Sequence, residues 1–95
     1  MDQAFHFGRW LKRAIEDLGI RQVDFAKKAG VGFGALRIWI RQQAPNPRGF
    51  LIVRMALALS VSREQIEAKL AEARAAATEA DREGSKEATE SPAAA

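Results

Sequence analysis

The sequence predicts an all-α fold of five helices. Three observations predict it. Apolar residues recur three and four apart through most of residues 7–73, the period of helices with one buried side. No segment shows the alternating β-branched pattern of a strand. Gly19, Gly30, Pro45, Pro47 and Gly84 stand at the breaks between the periodic stretches. With 95 residues, 47% of them apolar, the chain has enough for one core and not for two. The expected organisation is one domain over residues 1–83 and a disordered tail over 84–95.

Each element has its own signal. Phe7, Leu11, Ala14, Ile15 and Leu18 form the inner stripe of a first helix, which starts between Asp2 and Phe7 and stops at Gly19. Arg9, Lys12, Arg13, Glu16 and Asp17 occupy its outer face. A second, short helix runs from Gln22 to Ala29, with Phe25, Ala26 and Ala29 inward and Gly30 ending it. After a tight connection through Val31 and Gly32, a third helix spans Phe33 to about Gln43 and buries Leu36, Trp39 and Ile40. Ala44 to Pro47 is a loop. Asn46 is placed as the N-cap of the fourth helix and Pro47 as its first residue, where a missing N–H costs nothing. That helix buries Ile52, Met55, Ala56 and Leu59. A second apolar stripe, Phe50, Val53 and Leu57, lies on another face, to be covered either by the fifth helix or by a second copy of the chain. Ser62 and Gln65 read as a capping box opening the fifth helix. It buries Ile66, Leu70 and Ala73, runs to about Asp81 and stops at Gly84. From Ser85 onward no large apolar residue remains to hold the chain in order.

Composition narrows the chemistry. Cysteine is absent, so disulfides, zinc–thiolate sites and thiol catalysis are excluded. His6 is the single histidine, which leaves no histidine metal cluster and no base for a serine nucleophile. Glu16 and Asp24 form no carboxylate pair for acid–base work. No enzyme activity, metal or cofactor is expected. Gly30-Val-Gly32-Phe-Gly34 resembles a phosphate loop only superficially, because it follows a helix and not a strand. No apolar run is long enough for a membrane span and no secretory leader is visible, so a cytoplasmic location is expected. Charge is unevenly placed. Residues 1–54 carry ten Lys or Arg against four Asp or Glu, a net +6; residues 55–95 carry five against eight, a net −3. A basic front half points to an anionic partner.

Residues 22–41 hold the most specific pattern: a short helix, a glycine, a tight turn and a second helix at once. Such a pair can lay one helix across a duplex backbone and place the next in the major groove. Here Gln22-Val-Asp-Phe-Ala-Lys-Lys-Ala-Gly-Val-Gly32 resembles the Gln-x-x-Leu-Ala-x-x-x-Gly-Val-Ser signature of the Cro/lambda-repressor-type helix-turn-helix family. Leu36, Trp39 and Pro47 fall on further positions of that family. Ala56-Leu-Ala-Leu-Ser-Val-Ser62 resembles its Ala-x-x-Leu-Gly-Val-Ser, followed by Ile66. The resemblance covers residues 7 to about 70. It implies a compact lambda-repressor-like domain that binds double-stranded DNA as a transcriptional regulator of repressor type and forms a homodimer.

Carried over position by position, the resemblance places Gln22 on a phosphate at the start of the second helix, beside Arg21. Gly32, Phe33, Gly34, Arg37 and Ile38 form the outward part of the recognition helix. Arg41, Gln43 and Arg48 lie where relatives touch phosphates. Arg37 is the candidate for a bidentate guanine contact, and Phe33 or Ile38 for packing on a thymine methyl. The chain also departs from the pattern. Ile15 and Ile40 stand where the family pairs an arginine with a glutamate, so these two are expected to touch. Arg21 and Gly32 replace the hydroxyl caps. Phe33, Gly34 and Ile38 offer no side-chain hydrogen bonds to bases. The alternative from another class is a protein-interaction module, or an antitoxin that binds a protein partner through residues 71–95.

Overall fold

The computed structural model describes residues 4–94, with side chains as far as residue 79. Among the described residues the chain is helical without strands: α1 (Phe7–Asp17), α2 (Gln22–Ala29), α3 (Phe33–Arg41), α4 (Gly49–Leu59) and α5 (Arg63–Ala94). Asp2, the earliest expected start of the first helix, lies outside the described residues. No helix there is long and apolar enough to cross a membrane.

α1 starts at Phe7 because His6 caps it. His6 takes an extended backbone, and its Nδ1 accepts the Arg9 N–H at 3.0 Å. Phe7, Leu11 and Ile15 are fully buried along one stripe. Leu18, expected inward, is exposed, because it caps the helix end and the chain turns there. Gly19 follows at φ +75°, and its N–H reaches the Glu16 carbonyl at 2.9 Å. Trp10 is half-buried beside the Phe7 ring, with 5.4 Å between centroids.

The first amides of α1 are satisfied by the chain leaving α3. Phe7 N–H donates to the Gln43 carbonyl at 2.8 Å, and Gly8 N–H to that of Gln42 at 3.1 Å. These are the donors that a helix start leaves without intrahelical partners. The clasp also explains why α3 ends at Arg41 and not near Gln43: Gln42 is already extended, with ψ 140°.

α2 and α3 follow expectation on their inner sides. Phe25, Ala26 and Ala29 are buried from α2, and Leu36 and Trp39 from α3, with Ile40 half-buried against the same core. Gly30 sits at φ +72°. The Gly30 N–H meets the Lys27 carbonyl at 3.2 Å, and the Val31 N–H meets that of Ala26 at 3.0 Å. This paired arrangement closes a helix through a left-handed residue.

The entry to α4 differs from the sequence expectation. Arg48, not Asn46, is the N-cap, and α4 begins at Gly49. Asn46 is engaged elsewhere: its Oδ1 accepts from the Arg74 guanidinium of α5 at 3.2 Å. Pro45 and Pro47 are buried, so the loop contributes to the core before the helix starts. α4 then buries Ile52, Met55, Ala56, Ala58 and Leu59. α5 opens with Ser62 Oγ accepting the Gln65 N–H at 3.0 Å, the expected cap, and buries Ile66, Leu70 and Ala73. Its backbone runs on to Ala94 instead of stopping at Gly84. One glycine within a helix costs only about 1 kcal/mol relative to alanine, and the surrounding Ala, Glu, Lys and Arg are strong helix formers. The side chains of the expected tail, 84–95, lie outside the described residues.

The five helices share one core, and no polar side chain among the described residues is buried in it. α3 packs on α1 and α2, while α4 packs on α2 and α5. Side chains such as Phe7, Phe25, Leu36 and Met55, each removed from water, contribute about 1.5–3 kcal/mol apiece.

Ser60 carries a removable strain. It ends α4 at φ +60°, a left-handed conformation that disfavours residues with a Cβ. Ser60→Gly is expected to stabilise the domain by about 0.5–1 kcal/mol despite the looser unfolded chain. Chemical denaturation measures this; an unchanged or lowered midpoint would contradict the assigned backbone.

Candidate nucleic-acid interface

The outer side of α3 is open. Gly32 caps the helix from an extended backbone, with ψ 137° and no side chain to accept an amide. Gly32, Phe33, Gly34, Arg37, Ile38 and Arg41 are all exposed. A Cβ built on Gly32 or Gly34 would meet nothing within 4 Å. Phe33 and Ile38 are large apolar residues at 39% and 54% exposure.

Among the described residues, Arg37 and Arg41 on α3 and Arg48 after it carry charges without carboxylate partners. Arg41 ends α3, and Arg48 caps α4 at the far side of the loop. Arg37 lies over the Phe33 ring, one turn back, with its guanidinium carbon 5.7 Å from the ring centroid.

Two expected contact residues are engaged differently. Arg21, the N-cap of α2, makes no side-chain cap and instead donates to Asp24 at 2.8 and 3.3 Å. These hydrogen bonds hold the Asp24 carboxyl below its ordinary pKa and raise that of Arg21. Arg21 thus presents a charge already answered by its neighbour. Gln43 is half-buried, and its Nε2 donates to the Phe5 carbonyl at 3.0 Å. Its side chain fastens the segment before α1 to the end of α3. Gln22 is the first residue of α2 and half-buried.

Sequence reasoning passed over Arg54. From α4 its guanidinium donates to the Gly30 carbonyl at 2.9 Å and lies 5.2 Å from the Phe50 ring centroid. It thereby ties α4 to the turn that aims α3. The aromatic–arginine pair at i, i+4 was the available signal; its partner carbonyl was not. Phe50, Val53 and Leu57 are exposed, Leu57 at 75%, so among the described residues no α5 side chain closes over that stripe.

Among the described residues no group of three or more His, Asp or Glu could hold a metal ion. Comparison with protein-family models, with curated proteins and with solved structures yields no match.

Proposed function

We propose that this chain is a sequence-specific DNA-binding regulator of transcription, of repressor type, built on a lambda-repressor-like domain and acting in the cytoplasm. The observation that carries this reading is the outer side of α3, which is exposed and accompanied by three arginines without carboxylate partners. A helix lying in the major groove needs both properties: an unobstructed face for base edges and cations at its margins for phosphates. Arg37 reads a guanine, while Arg41 and Arg48 grip the backbone on either side of the loop. The +6 balance of residues 1–54 draws the duplex to this half of the molecule.

Selection of bound fragments from a random duplex pool tests the reading and returns the site together. On the selected duplex, Arg37→Ala is expected to flatten the preference for one base pair by about 1–3 kcal/mol, whereas Arg48→Ala weakens all sequences alike. If neither substitution changes binding, the assignment is wrong.

The regulator is proposed to act as a homodimer through Phe50, Val53 and Leu57 of α4, which the monomer leaves exposed at helical spacing. A two-fold dimer would set two α3 helices about one DNA turn apart. Leu57→Glu should shift the sedimentation coefficient from dimer to monomer without lowering helicity; a parent that already sediments as a monomer at high concentration refutes the dimer.

The exposure of Phe33 and Ile38 favours a second reading, in which α3 docks on a protein and the acidic segment 71–95 contributes to that contact. Failure to retain any duplex at low salt would select it.

A further inference from the structure

Phe33 shares the outer face of α3 with Gly32, Gly34, Arg37, Ile38 and Arg41, and its ring lies under the Arg37 guanidinium. The two residues are one helical turn apart on α3. A guanidinium carbon 5.7 Å from the centroid lies within the range where a cation is attracted to an aromatic ring. The ring can engage the face of the guanidinium, while the N–H donors project from its edge. Since no carboxylate among the described residues takes those donors, the fork remains available to an acceptor pair such as guanine O6 and N7.

We infer that Phe33 and Arg37 act as one reader for a pyrimidine C5-methyl group next to a guanine, so that a thymine–guanine step and a methylated cytosine–guanine step are equivalent to this protein. The inference rests on the DNA reading of α3. Successive bases of a strand are about 3.4 Å apart, so a ring beside the fork reaches the neighbouring base when the fork sits on guanine. The pyrimidine C5 position projects into the major groove, where thymine carries a methyl and cytosine does not. Phe33 can make no hydrogen bond, so it cannot tell thymine O4 from the cytosine amino group. It responds to the methyl, which 5-methylcytosine carries at the same carbon. Gly34 beside it has open space, leaving room for the base edge to approach. Phe33 is therefore a specificity-determining residue twice over: it contacts the methyl, and it positions Arg37.

The test uses the full chain and the duplex recovered by selection at low salt. The thymine preceding the guanine is replaced by uracil, which deletes only the methyl, then by cytosine and by 5-methylcytosine, with guanine opposite the last two. Fluorescence anisotropy is expected to show about fourfold weaker binding to uracil, the worth of one buried carbon group. Cytosine should be weak and its methylation should restore the thymine affinity. Phe33→Ala should erase the methyl effect and reduce the guanine preference together, with a thermal midpoint close to the parent because the side chain is on the surface. Arg37→Lys should lose the guanine preference yet keep the salt dependence. Equal affinity for thymine and uracil, or a methyl effect that survives Phe33→Ala, overturns the proposal while leaving DNA recognition standing. A chain that retains no duplex overturns both, and hands the Phe33–Ile38 surface to a protein partner.

Discussion

Gly8→Ala is expected to cost at least about 3 kcal/mol, at or beyond the top of the usual overpacking range. In an ordinary helix the same change gains roughly 0.5–1 kcal/mol. The sign reverses here because α1 crosses the end of α3 on its backbone. A Cβ at Gly8 would land on the Ile40 carbonyl and lie 2.7 Å from the Gln42 oxygen. Neither is a flexible side chain that can step aside. Relief requires moving α1 off α3, which breaks the Gly8–Gln42 and Phe7–Gln43 hydrogen bonds and loosens Phe7 in the core. In a domain this small each kcal/mol shifts the melting temperature by about 4–8 °C, so the loss should be large in a thermal scan. Gly34→Ala is the internal control. It adds the same methyl to α3 where nothing lies within 4 Å, and it should leave the midpoint unchanged or raise it slightly. Two variants that melt alike would contradict the described crossing.

The second large effect concerns Ile15 and Ile40. Ile15 is buried to 1% exposure on α1, and Ile40 is half-buried on α3, the helix α1 packs against. Ile15→Arg alone places an unpaired charge in the core and is expected to cost about 3–5 kcal/mol. Ile40→Glu alone should cost less, since part of that site meets water. Joined in one chain, the two should recover about 0.5–3 kcal/mol, the coupling of neighbouring groups. A four-protein denaturation cycle measures it. Strict additivity would show that the two positions are not neighbours, and would weaken the resemblance that pairs an arginine and a glutamate there.

Local signals made most of the helices legible before any coordinates. Periodicity identified the buried members of α2 and α5 and all those of α4 except Ala58, and Gly19, Gly30 and Ser62 marked true ends. What stayed hidden depends on distant partners. Asn46 reads as a cap until Arg74 of α5 takes its side chain. The need for glycine at position 8 shows only once the α3 backbone is seen to cross it. The hydrogen bond from Gln43 to the Phe5 carbonyl joins residues 38 apart, which spacing does not reveal. His6 escaped for a local reason, because histidine is an uncommon N-cap. The candidate site divides in the same way. The outward positions of α3 followed from the buried ones, since a helix that points Leu36 and Trp39 inward must point Arg37, Ile38 and Arg41 away. The placement of Arg37 over the Phe33 ring and the fastening of the turn by Arg54 are choices of rotamer and neighbour that spacing alone does not determine.

The most direct test of the central claim is the affinity for the selected duplex as a function of salt. If the arginines around α3 neutralise phosphates, the logarithm of affinity falls linearly with the logarithm of salt, by about 0.9 for each phosphate contacted. The expected result is a steep negative slope whose magnitude drops by about one unit in Arg48→Ala. A flat dependence, or a slope unchanged by that substitution, would show that α3 and its neighbouring loop do not face a nucleic-acid backbone.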